Sequence, residues 1–128
     1  SVSQLMTRAE IVSPELTVAE FVDQYLLRHR DQTFVVSNGL SFQGIIATSH
    51  VRGLPRTQWE TRRVRDVMTP SASLQSLTSS QSAATALTLL SSAEVDELPV
   101  VEAGQVVGFL GQSELARYLG LKVELKRA

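Results

Sequence analysis

The chain is written nearly twice, and that duplication constrains its fold more than any other feature. VSQLMT (2–7) returns as VRDVMT (64–69), and FQGIIATSHV (42–51) returns as VVGFLGQSEL (106–115). A repeat at fixed spacing marks one supersecondary unit used more than once. Two copies predict a pseudo-symmetric molecule with a cleft between its halves, where function is expected. The first copy spans 1–57, the second spans 64–128 with a C-terminal helix and tail, and 58–63 joins them.

Composition narrows the class. The 128 residues are 43% hydrophobic and 20% charged, a globular balance, and a chain of this length buries about two-thirds of its unfolded surface. No apolar run reaches the roughly 20 residues of a membrane helix, so the fragment is expected to lie outside the bilayer. There is no cysteine, which excludes disulfides and thiolate metal sites and fits a reducing compartment such as the cytoplasm. The chain lacks a signal-peptide pattern and does not begin with methionine, so it reads as an excised fragment.

Each copy carries the same order of elements: an extended lead-in, a helix, two strands and a closing helix. In the first, Thr17 and Glu20 have capping-box spacing. Val18, Phe21, Val22, Tyr25 and Leu26 then form one apolar helix face. Strands follow at 33–36 and 42–47 across the turn residues Ser37-Asn38-Gly39, and a short helix is expected at 48–54, stopped before Pro55. In the second copy Ser80 is the expected cap of a helix bearing Ala83, Ala86, Leu87 and Leu90. Strands at 98–101 and 106–110 flank Ala103-Gly104, and Ser113 to Leu119 closes the unit. The fold class is therefore α+β, built from tandem β-α-β-β-α units.

Two features admit both a structural and a functional reading. Gly44 and Gly108 hold equivalent places inside strands, where glycine marks a close approach by another backbone or by a ligand. Arg52, Arg56, Arg62, Arg63 and Arg65 cluster at the joint, while Val67 to Ala116 contains no Lys or Arg. The cluster is either a solvated face or an anion site for phosphates or a partner's carboxylates. Nucleic acid is not an expected partner, because the rest of the chain is acidic and aromatics are few.

The doubled pattern, with VRDVMTP (64–70) and ELPVVEAGQVVGFLGQSEL (97–115) as its strongest pieces, resembles the CBS domain pair, or Bateman module. The resemblance covers essentially the whole chain. It implies two β-α-β-β-α units about a pseudo-two-fold axis, a regulatory role and a homodimer. A narrower likeness, at EFVDQYLLRHRDQTFVV (20–36), GLPRTQWETRRVRDVMTP (53–70) and ELARYLGLKVELKRA (114–128), is to CBS pairs attached to site-2-protease-type intramembrane zinc metalloproteases. That likeness implies an upstream membrane protease domain with this module on its cytoplasmic side. The fragment itself has no HExxH, and His29 and His50 alone cannot form a zinc site, so neither catalytic nor metal-binding residues are expected in it.

CBS pairs commonly bind adenine nucleotides or adenosyl compounds through a Ser/Thr-x-x-Asp motif opening the last helix, whose acid holds the ribose hydroxyls. Both copies here depart from it. The second reads Gly111-Gln112-Ser113-Glu114, and the first reads Ala47-Thr48-Ser49-His50. The resemblance thus implies a main site of Ser113 and Glu114, with Val95, Asp96 and Leu98 lining the base pocket and Asp66 near the lead-in. Gln32, Ser49 and His50 form a weaker second cleft. AMP, ADP, ATP and S-adenosylmethionine are the implied ligands; Asp96 and Glu97 would repel a polyphosphate unless the arginine cluster or a cation compensates, which favours a low-charge ligand such as AMP or an adenosyl compound over ATP. The alternative is a ligand-free module for dimerisation or docking. A stand-alone enzyme is not expected, since nothing gives a nucleophile elbow or metal triad.

Overall fold

The structure, a computed structural model, describes residues 1–93 and 97–127. Its strands are β1 (Thr7–Arg8), β2 (Ile11–Val12), β3 (Phe34–Ser37), β4 (Phe42–Ile46), β5 (Thr69–Pro70), β6 (Glu97–Glu102) and β7 (Gln105–Gly111). Its helices are α1 (Val18–Phe21), α2 (Thr48–Arg52), α3 (Val64–Val67), α4 (Ala83–Ala93) and α5 (Gln112–Arg127). Among the described residues no helix is long and apolar enough to cross a membrane.

The chain packs as two compact units, one of Ser1–Arg8 with Gln75–Ala128 and one of Ala9–Leu74. Sequence repeats and packed units are therefore different divisions of the chain, because each lead-in packs with the other copy's body. In the first unit β1, β7 and β6 form an antiparallel sheet in that order. In the second the order is β2-β3-β4-β5, with β2 parallel to β3 and the other pairs antiparallel.

The strand glycines make these pairings possible. A Cβ on Gly44 would lie 2.3 Å from the Thr69 carbonyl oxygen and 2.9 Å from the Met68 sulfur. One on Gly108 would lie 2.5 Å from the Thr7 oxygen and 3.0 Å from the Met6 sulfur. No real side chain tolerates such distances, so the repeated Met-Thr and the repeated glycine are two halves of one contact. Of the two sequence readings, close backbone approach is the one occupied.

Each unit has its own core. Val12, Val18, Phe21, Phe34, Val36, Ile46 and Val64 are among the buried side chains of one. Val2, Leu77, Leu90, Val100, Leu110 and Leu115 are among those of the other. Val2 lies in the lead-in, so its burial fixes that segment to the 75–128 body.

Local chemistry explains most of the element ends. Thr17 Oγ1 accepts from the Glu20 amide at 3.1 Å and Glu20 Oε1 accepts from the Thr17 amide at 2.9 Å, the reciprocal capping box that the spacing predicts. The amides of Val18 and Ala19 donate to the carbonyls of Arg62 and Trp59, each at 2.8 Å, so the joint satisfies two more orphan donors. The predicted continuous helix does not persist. After Phe21 it widens to a π-turn, Val22–Leu26, closed by the Leu27 amide on the Val22 carbonyl at 3.1 Å. The apolar face is kept, with Phe21 and Tyr25 both set edge-on to Phe34 at centroid distances of 5.4 and 5.7 Å. In the second copy Ser82, not Ser80, accepts from the Thr85 amide and caps α4, because the helix starts at Ala83. Ala103 (φ 51°) and Gly104 (φ 78°) turn β6 into β7.

Candidate functional site

The segment from Ala47 to His50 enters α2 directly from β4. Thr48 Oγ1 donates to the Arg30 carbonyl, which ties the start of the helix to the loop after the π-turn. Two residues on, His50 is half-buried and both its ring nitrogens are engaged. Nδ1 accepts from the Ala47 amide at 3.0 Å, and Nε2 lies 2.7 Å from Thr69 Oγ1. A ring nitrogen that accepts from an amide carries no proton, so the proton of the neutral ring sits on Nε2 and is donated to Thr69. Burial lowers the His50 pKa from its ordinary value, which favours the same neutral form. His50 thus caps its helix and ties it to β5. Thr69 went unnoticed in the sequence as a partner for it, although the repetition of Met-Thr was the available signal.

The other residues of the weaker cleft are also placed. Gln32 Nε2 donates to Glu10 Oε1 at 3.0 Å, while Ser49 is exposed on α2. Asp66 belongs to this same 9–74 unit, and its Oδ2 accepts from the Arg63 amide at 2.9 Å, capping α3.

In the 75–128 unit the strand leading into α5 ends at Gly111, and the helix opens Gln112-Ser113-Glu114. Ser113 and Glu114 are exposed in the first turn, where the helix dipole favours an acid. Neither side chain bonds a described residue. Leu98 is 2% exposed, so its side chain serves the core. Val95 and Asp96 lie outside the described residues. The structure therefore unites Ser113 with Glu114 in one unit and Gln32, Ser49, His50 and Asp66 in the other.

Residues 64–121 match the family model of the CBS domain. The whole chain superposes on solved CBS-pair structures. With the CBS-pair protein CBSX2 from Arabidopsis thaliana the TM-score is 0.78 at 22% identity, over 100% of this chain and 97% of that one. The complex of CBSX2 with AMP gives 0.75 at 23% identity, over 97% and 98%. The CBS domain of a bacterial CNNM/CorC family Mg2+ transporter in complex with ATP gives 0.77 at 17% identity, over 93% and 86%. The fold is that of a CBS pair. No curated protein matches the chain in sequence.

Within this fold most of the arginine cluster is committed to the chain itself. Arg65 pairs with Glu15 at 2.6 Å, and Arg63 donates to the Glu15 carbonyl. Arg62 reaches Gln58 Oε1 at 3.4 Å, and the Arg56 guanidinium lies 5.3 Å from the Trp59 ring centroid. These contacts hold the joint against the start of α1. Arg52 has no ion-pair partner among the described residues.

Proposed function

We propose that the chain is a non-catalytic regulatory module that binds an adenine-containing ligand and controls an attached membrane metalloprotease from its cytoplasmic side. Ser113 and Glu114 carry this reading: a hydroxyl and an acid without a side-chain partner among the described residues stand at the start of α5, where CBS pairs hold a ribose. The acids Asp96 and Glu97 in the sequence favour AMP or S-adenosylmethionine over ATP. The solved relatives with AMP and ATP support a nucleotide in general. The protease connection rests on the likeness at residues 20–36, 53–70 and 114–128.

A ligand shifts such a module only by its differential affinity for two states. Ligand at 100 times its dissociation constant should stabilise the chain by about 2.7 kcal/mol, a rise of roughly 10 °C in Tm. The test is a thermal-shift series with AMP, ADP, ATP and S-adenosylmethionine on the chain and on Glu114→Ala. One of them should raise Tm, and the substitution should abolish the rise. Flat melting curves throughout would remove the nucleotide reading, and binding unchanged in Glu114→Ala would remove the ribose role.

A second reading, a ligand-free module for homodimerisation or docking, is favoured by a different observation. Gln32, His50 and Asp66 are already hydrogen-bonded within the chain. Light scattering that finds a monomer at high concentration would count against the homodimer.

A further inference from the structure

The π-turn stands over two adjoining hollows, both within the 9–74 unit. The smaller, about 220 Å³, is lined by Val22, Leu26, Val51 and Trp59, with Arg30 and Arg52. The larger, about 490 Å³, shares Val22, Leu27 and Trp59 and adds Asp23 and Glu60 together with Arg56. Single π-turns inserted in helices recur at functional sites, and this one turns Leu27 outward to 66% exposure beside the smaller hollow.

The smaller hollow combines an apolar interior with uncompensated positive charge. Trp59 is held in place because its indole N–H donates to the Leu54 carbonyl at 3.2 Å. Val51 and Leu26 are buried beneath. Arg30 and Arg52 are exposed, and neither forms an ion pair with a described residue. Their positions are not independent. Thr48 bonds the Arg30 carbonyl, and Arg52 stands one helical turn after Thr48, on the same face of α2. One contact thus brings both cations to the hollow. The interior exceeds the ~150 Å³ that suffices for a benzene ring, and two guanidinium groups suit a carboxylate through charge-assisted bonds.

We propose that this hollow binds a small monocarboxylate with a single-ring or short acyl body. The body lies against Trp59, Val22 and Val51, and the carboxylate lies between Arg30 and Arg52. The site is separate from Ser113 and Glu114, and its failure leaves the nucleotide reading untouched.

Trp59 is the chain's single tryptophan, so its emission reports on these two adjoining hollows, and the arginine variant assigns the response to the smaller one. The test titrates the full chain with 4-phenylbutyrate and, in parallel, with its neutral amide. A saturable change in Trp59 emission is expected, at least tenfold weaker for the amide and at least tenfold weaker in an Arg30→Gln/Arg52→Gln variant of unchanged circular dichroism. Glu114→Ala should leave it unaltered. Equal response to acid and amide, a response that never saturates, or full affinity in the double variant would overturn the proposal. So would sedimentation showing a dimer that blocks the probe, which would place a second copy of the chain in the hollow instead.

Discussion

His50 shows how one substitution changes the use of a position. The imidazole turns inward, accepting from Ala47 and donating to Thr69, so the position serves the fold. Burial keeps it neutral by lowering its pKa below 6.5. The unfolded chain then takes up a proton at a higher pH than the folded one. Stability from this group is fully present above pH 6.5 and is lost as pH falls from there through the folded pKa. NMR titration should find His50 below 6.5 with its neutral proton on Nε2. Replacing it by Gln should flatten the stability profile between pH 5 and 7. A titration at or above 6.5, or a proton on Nδ1, would contradict the geometry.

At the scale of elements, the start of α1 concentrates several weak interactions in one place. Thr17 and Glu20 cap each other, and the joint covers the next two amides. Thr17→Ala should cost about 1 kcal/mol in urea denaturation. Hydrogen bonds from Thr17 hold the Glu20 carboxyl below its ordinary range, so its contribution is present above pH 4.5 and disappears as pH falls through the lower folded value. A Glu20→Gln variant, which removes the titrating carboxyl, should therefore lose less stability than the parent between pH 5 and 3, and an identical loss would show that the Glu20 carboxylate does not contribute. The capping box was legible in the sequence because it depends on two side chains three residues apart. The π-turn was not, because Val18, Phe21, Val22, Tyr25 and Leu26 form one apolar stripe whether the turn closes on the fourth or the fifth residue. The engagement of His50 was not legible either, because it required Thr69, a residue brought near only by the pairing of β4 with β5.

For the whole molecule, the exchange of lead-ins means that neither sequence copy is a folding unit by itself. Residues 1–8 contribute β1 and the buried Val2 to the body of the second copy, and residues 64–74 contribute α3 and β5 to the body of the first. Duplication made this exchange available, because both lead-ins end in the Met-Thr that packs on the glycine of a strand. Each copy is thereby tied to the other by backbone pairing rather than by the joint alone, so loss of either lead-in should damage the copy remote from it in sequence. A chain starting at Ala9 loses the partner of Gly108 and Phe109 and uncovers the cluster around Leu77, Val100 and Leu110. Removing Val2 alone withdraws a fully buried side chain, worth roughly 1.5–3 kcal/mol of burial. Hydrogen exchange on the truncated chain should therefore rise at Gly108 to Leu110, while the amides of Val35 and Val36 in β3 stay protected. The opposite pattern, exposure of β3 with β7 intact, would mean that the lead-in serves its own copy.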